Sequence, residues 1–366
     1  MSASESSEST TLELPEVDLA PLLALAPGAP PTAELLATAR AATDALHRFG
    51  VLIVRDPRAS AAANDSFLDL LEAYFEQPES ARDADVRADV YYQVGRTPEH
   101  VELPRDHCAL ARSLGGGARD RPRSLCPPEK DRKERFMWRV GSPPAAGASA
   151  FPQLHAAPVV PAALPNWAKI MDDWGATLLA AAEAVAELAA LGAGLPRDAF
   201  SSRMRGGAHL LAPTASDLSK WGEGVVLAGY HYDLNFLTCH GRARFPGLYV
   251  WTREGKRLGV AVPPGCLLVQ AGKQLEHLTG GHVRAGMHEV VVSPAAAAAA
   301  AHAAGRSRWR ISSTLFSHIA ADEALEPLGA FDTPQARAEY PRILCGDHVN
   351  AELKAINLGA NSDGAA

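Results

Sequence analysis

Residues 225–238 read VVLAGYHYDLNFLT, and the rest of the chain is best read outward from them. The apolar run 225–230 predicts a buried strand. Residues i and i+2 of a strand point to the same face, so His231 and Asp233 can offer an imidazole nitrogen and a carboxylate oxygen to one cation. Downstream lie further short β-rich runs: GLYVW (247–251), RLGVAV (257–262), CLLVQAG (266–272), HEVVV (288–292) and RISSTLF (310–316). Gly/Pro turns separate them, the pattern of a sandwich or jelly roll. Seven consecutive alanines (295–301) interrupt it and predict an inserted loop or short helix.

Upstream the periodicity changes. Leu35, Ala39, Ala42, Leu46 and Phe49 step by fours and threes, which predicts a helix over 33–49 ending at Gly50. A short strand in LPEVDL (14–19) precedes it and Val51-Leu52-Ile53-Val54 follows as a buried strand. A second helix is expected over 62–76 and a long Ala-rich third over 166–191. Residues 80–160, rich in Arg, Asp, Pro and Gly with a glycine run at 115–117, give no clear pattern. Tyr91, Tyr92, Arg96, Arg135, Trp138 and Arg139 in that region read as loop packing and surface charge. The expected fold class is α+β, mainly β: a sandwich or jelly-roll core flanked by helices. The expected organisation is a disordered tail over 1–12, an N-terminal region over 13–200, a catalytic core over 201–330, and a C-terminal segment over 331–366, helical across 334–358 with a loose tail beyond.

Composition sets limits. The 366 residues are 47% hydrophobic and 21% charged, as in an ordinary globular protein. A net charge of -7 and a pI near 6.0 make the chain a poor candidate for binding a phosphate backbone, so no nucleic-acid partner is expected. Five cysteines without a C-x-x-C spacing predict free thiols in a reducing compartment. No apolar run reads as membrane-spanning, and the polar N-terminus lacks the features of a secretory or transit signal. The expected location is the cytoplasm; oligomeric state is not legible.

A third metal ligand must come from a distant strand. His288 heads the run Val290-Val291-Val292 and supplies a second imidazole. Two histidines and one carboxylate on one face of an octahedron suit Fe(II) and leave positions open for a chelating co-substrate and O2, whereas a structural zinc site would draw on thiolates. Arg310 and Ser312 again share one strand face. A planar guanidinium and a hydroxyl there can grip a carboxylate.

With these parts in order, residues 225–316 resemble the core of the 2-oxoglutarate and Fe(II)-dependent dioxygenases, in the isopenicillin N synthase-like branch. The family's H-x-D stands here as HYDLNFLT (231–238), its G-L-x-V strand as GLYVW, and its R-x-S as RIS (310–312). Its segment leading to the distal histidine stands as GKQLEHLTGGHVRAGMHEVVV (272–292), with the same 16-residue gap from Gly272 to His288. LPEVDL, the helix after it, FGVLIV (49–54) and the second helix resemble the family's N-terminal region. The resemblance implies a double-stranded β-helix, with Fe(II) on His231, Asp233 and His288. It implies 2-oxoglutarate on Arg310 and Ser312, O2 as co-substrate, and ascorbate as an accompanying reductant. The implied reaction is oxidative decarboxylation of 2-oxoglutarate coupled to hydroxylation, desaturation or cyclisation of a small molecule. His240, His277, His282 and His318 compete for the third ligand; the register from Gly272 favours His288.

Three departures stand out. The family's tyrosine before proline is absent from His209-Leu210-Leu211-Ala212-Pro213, the Asp of its G-D-Q is Lys273, and His288 lies 22 residues before Arg310, a distance the alanine insertion explains. The missing tyrosine keeps open an isopenicillin N synthase-like oxidase that needs no 2-oxoglutarate. A non-catalytic jelly-roll binding protein is the rival from another class. Phe236, Leu248, Trp251 and Phe316 are candidates for the pocket wall or simply for the core. P-loop, nucleophile-elbow and H-E-x-x-H motifs are absent.

Overall fold

The computed structural model describes residues 13–26, 28–115, 117–145, 147–302 and 307–359. The expected tails at 1–12 and 360–366, and Gly116 of the glycine run, lie outside them. Two sheets form the β core. The larger follows the path Glu16–Asp18, Val51–Arg55, Cys266–Ala271, Leu237–His240, Thr314–Ser317, Leu210–Leu211, Glu134–Arg139, Thr214–Asp217 and Trp309–Ser312, with Gly95–Thr97 also on Glu134–Arg139. The smaller runs Arg257–Gly259, Leu248–Trp251, His288–Val291 and Val226–His231. Side chains of both sheets line one cavity, so the two enclose it, as a jelly roll requires. Strands from before and after residue 200 share the larger sheet.

The helices follow their periodicity. Ala33–Phe49 is capped at its start by the Thr32 hydroxyl, which accepts from the Leu35 N–H, and ends at Gly50 with φ 67°. A Cβ at Gly50 would also strike the Gly286 backbone at 2.8 Å, so this glycine lets the first helix close onto the loop before His288. Trp167–Gly192 packs against the first helix, with Trp167, Leu178, Val185 and Leu188 fully buried. That helix corrects one expectation: with a mean hydropathy of 1.4 it is long and apolar enough to cross a bilayer, but its apolar surface is used inside the fold. The alanine run forms the helix Pro294–Ala301, capped by Ser293.

Three further expectations are corrected. RISSTLF is not one strand: Trp309–Ser312 and Thr314–Ser317 lie far apart along the larger sheet's path, broken at the buried Ser313, to which the Trp174 indole N–H donates. Cys108 and Cys126 form a disulfide with Cα atoms 5.6 Å apart, while Cys239, Cys266 and Cys345 are free and buried; an odd cysteine count cannot exclude a pair that folding brings together. Finally, Arg96 and Arg135 are not surface charge. Arg96 is buried, and both it and Arg82 hold Glu134 in an ion-pair cluster. Trp138 is core, its indole N–H donating to Asp172 at 2.8 Å.

Candidate metal centre and adjoining pocket

His231 ends one strand of the smaller sheet and His288 begins its neighbour, and the antiparallel register sets them directly opposite each other. Their ring centroids are 4.2 Å apart. Asp233 follows in the turn, its Oδ1 3.9 Å from His231 Nε2 and 3.8 Å from His288 Nε2. One donor atom from each of the three residues lies within 4.8 Å of the others. In a β-strand pair, residues opposite one another bring side chains within about 5 Å, so the spacing seen in the sequence becomes a convergent site through register alone.

The surroundings turn the correct atoms inward. His231 Nδ1 pairs with the Gly229 carbonyl at 2.5 Å and His288 Nδ1 with the Gly286 carbonyl at 3.1 Å. A carbonyl can only accept, so Nδ1 carries the proton and Nε2 keeps its lone pair for the shared point. The Thr238 hydroxyl donates to Asp233 Oδ2 at 2.6 Å, which leaves Oδ1 for a cation. Burial, reinforced by His288, pushes the His231 imidazole down to about 3 and keeps it neutral. Burial acts to raise Asp233, but the His288 and His231 imidazoles outweigh it and hold the carboxyl below its usual range. Two imidazoles presenting Nε2 and one carboxylate presenting Oδ1 form a donor set that fits Fe(II).

The turn behind Asp233 depends on Gly272. A Cβ there would sit 2.0 Å from the Asn235 carbonyl oxygen. That close approach lets the Lys273 and Gln274 N–H groups donate to the carbonyls of Asp233 and Asn235. Lys273 therefore does its work here through its backbone, and its side chain pairs with Glu276 at 2.6 Å. The rival histidines are engaged elsewhere: His240 Nε2 with Gln270, His277 Nε2 with the Pro341 carbonyl, His282 stacked on His47, and His318 Nδ1 with Gln274.

Arg310 and Ser312 line the same cavity as all three triad residues. Arg310 is 5% exposed, and its Nε donates to the Pro246 carbonyl at 3.2 Å, yet among the described residues no carboxylate pairs with it. Burial alone brings it down to about 10, so it remains charged near neutrality. The Ser312 hydroxyl lies 3.1 Å from that of Thr314. A buried, uncompensated guanidinium beside two hydroxyls suits a carboxylate guest.

A second, larger pocket, partly open to solvent, also borders His231 and Asp233. Its floor comes from strand Glu134–Arg139, whose alternation sends Arg135, Met137 and Arg139 into the pocket and Phe136 and Trp138 into the helical core. Val349 and Leu353, on the helix Cys345–Ala355, form another wall. Of the aromatic and aliphatic candidates, Leu248 and Phe316 line the two cavities, whereas Phe236 and Trp251 are buried and border neither.

The sequence reading missed two groups. Glu289, fully buried next to His288, accepts from the N–H groups of Arg123 and Ser124 and pairs with Arg257 at 3.0 Å, fixing the loop over the site to the ligand strand. Lys133 bridges Asp131 at 2.5 Å and Glu102 at 2.9 Å. Burial opposes ionisation of Glu102, but Arg135 and Lys133 hold its carboxyl down at about 2. No sequence spacing signals either cluster, because Glu102 lies 31 residues from Lys133 and Glu289 lies 32 from Arg257.

Comparison with known proteins follows the geometry. Residues 216–319 match the sequence model of the 2OG-Fe(II) oxygenase superfamily. A comparison with curated proteins gives no match. Among solved structures, the fold is similar to a protein from Caulobacter crescentus assigned to the 2OG-Fe(II) oxygenase family, at 23% identity and a TM-score of 0.69 over 93% of this chain and 98% of that one. It is also similar to a full-length Neurospora crassa protein in complex with alpha-KG, at 17% identity and a TM-score of 0.71 over 94% and 97%. Dioxygenase for auxin oxidation 1 from Arabidopsis thaliana, as its 2-oxoglutarate complex, gives 16% identity and a TM-score of 0.59 over 90% and 100%.

Proposed function

We propose that this chain, a member of the 2OG-Fe(II) oxygenase superfamily through residues 216–319, is a dioxygenase that oxidises a small molecule at the expense of 2-oxoglutarate and O2. The observation that carries this reading is the pairing of a convergent His231, Asp233 and His288 with a buried guanidinium, Arg310, that lacks a carboxylate in the same cavity.

Each residue has a distinct task. His231 and His288 present Nε2, and Asp233 presents Oδ1, as the three protein ligands. The Gly229 and Gly286 carbonyls hold the rings and Thr238 holds the carboxylate, so the donors are in place before any ligand arrives. Arg310 and Ser312 take the distal carboxylate of 2-oxoglutarate, the arginine through its fork and the serine as hydroxyl donor. When bound, Fe(II) with 2-oxoglutarate and O2 supplies the oxidising chemistry, with succinate and CO2 as co-products. The pocket floored by Arg135, Met137 and Arg139 holds the substrate against His231 and Asp233.

The test is succinate release and O2 uptake by the purified chain with Fe(II), 2-oxoglutarate and a panel of small molecules. Asp233→Ala should lose iron binding and turnover together, with a rate drop of about 1,000-fold or more. Arg310→Met should weaken 2-oxoglutarate binding by roughly 10- to 100-fold while one equivalent of metal still binds. Normal iron binding by Asp233→Ala would end the ligand assignment, and unchanged 2-oxoglutarate affinity in Arg310→Met would end the co-substrate assignment.

A further inference from the structure

On strand Glu134–Arg139, Arg135 is compensated: its Nη1 is 3.1 Å from Glu102 and its Nε donates to the Thr214 hydroxyl at 3.1 Å. Arg139, four residues on and facing the same pocket, is not. Its Nε and Nη1 are buried without a hydrogen-bond partner, and no carboxylate pairs with it among the described residues. Burial lowers it to about 10, which still leaves it cationic at neutral pH. Its electrostatic neighbours are imidazoles: His155, His209 and His318 all feel its charge, and all three are held below the usual histidine range, first by burial. Nothing there neutralises a guanidinium. A buried charge of this kind is costly unless a counter-ion arrives.

The rest of the pocket defines the guest. Met137, Leu154, Leu210, Val349 and Leu353 make its lining largely apolar. The other cations at its edge are occupied: Arg105 donates to the Tyr232 hydroxyl at 2.8 Å and pairs with Glu352 at 3.1 Å. Arg310 lines the separate cavity assigned to the co-substrate.

We infer that the substrate is an amphipathic organic anion, a monocarboxylate with an apolar body, whose head group is clamped by Arg139. This deepens the reading of the site as an oxygenase and rests on it. A guanidinium whose Nε and Nη1 donors no described residue takes suits a carboxylate head group. Arg139, His231 and Asp233 all border this one pocket. A head group held on Arg139 therefore places the apolar body in the same space that the candidate metal ligands face. Arg139 is a specificity-determining residue for the substrate, distinct from the arginine that takes 2-oxoglutarate.

The experiment is calorimetric titration with saturated monocarboxylates from hexanoate to tetradecanoate and with phenylpropionate, each against its primary amide. It is run on the metal-free protein and on protein loaded with Mn(II) and 2-oxoglutarate. At least one carboxylate should outbind its amide by about tenfold or more, and Arg139→Met should erase that preference while 2-oxoglutarate affinity stays as in the wild type. Arg139→Lys, which keeps charge but loses the fork, should fall between. The melting temperature of Arg139→Met without ligand should equal or exceed the wild-type value, because an uncompensated charge is removed. A variant that melts lower or fails to fold makes Arg139 a structural residue and overturns the inference. So does a series in which no carboxylate outbinds its amide, or in which the variant binds as the wild type does. Failure of Mn(II) or 2-oxoglutarate to bind the wild type would instead overturn the oxygenase reading, since the metal-free titration reads the clamp separately.

Discussion

The two ends of strand Glu134–Arg139 bury positive charge in opposite ways. At the first end, Arg82 and Arg96 converge on Glu134, Arg96 also reaches Asp83, and Arg135 pairs with Glu102. Every cation there has a carboxylate, and the cluster ties the strand to the chain segment before it. At the far end Arg139 stands among neutral histidines with two donors unused. The residue type is the same and so is the strand. The difference is whether the fold itself supplies the counter-charge, and that separates an arginine that holds the protein together from one that waits for a ligand.

The comparison breaks most visibly at Glu134. Glu134→Ala strands the buried Arg82 guanidinium and takes one of its carboxylates from Arg96, and chemical denaturation should show a loss of about 3–5 kcal/mol. A loss under about 1 kcal/mol would mean that the paired end is no more structural than the unpaired one. Acid sharpens the comparison from the other side. Burial, with Arg139 adding to it, holds the folded His209 at about 4, below its unfolded value near 6.5. Between those two values the unfolded chain binds the extra proton, so stability falls as pH drops below about 6.5 and the loss levels off near 4. His209 alone should contribute about 2 kcal/mol of destabilisation at pH 5 relative to pH 7. Urea midpoints of the wild type and His209→Gln over that range check it; an unchanged slope in the variant refutes the assignment. The smallest effect is the control. Lys169 and Asp173 pair at 2.5 Å with side chains 77% and 65% exposed. Lys169→Ala should change stability by no more than about 0.5 kcal/mol, and a larger value would show that burial is not what grades these pairs.

Much of this was legible in the sequence. His231, Asp233 and His288 converge because strand alternation and register put them together, and both act over short distances that a pattern of residues records. The helix Ala33–Phe49 and its glycine stop were readable for the same reason. The split of RISSTLF was not, because its sequence is uniformly strand-forming and the break follows from Ser313 meeting Trp174, more than a hundred residues away. Strand Glu134–Arg139 was hidden because its residues run charged, charged, aromatic, apolar, aromatic, charged, and the charges become intelligible only beside Arg82, Arg96 and Glu102. Arg139 looks like any surface arginine until one sees that, among the described residues, no acid pairs with it.

The candidate metal ligands and Arg310 all fall within residues 216–319, whereas Met137, Arg139 and Leu154 come from well before that stretch and Val349 and Leu353 from after it. On the proposed reading, reactivity and selectivity are written in different parts of the chain. Chimeras that keep 216–319 and trade only what surrounds it would be a natural route to new catalysts.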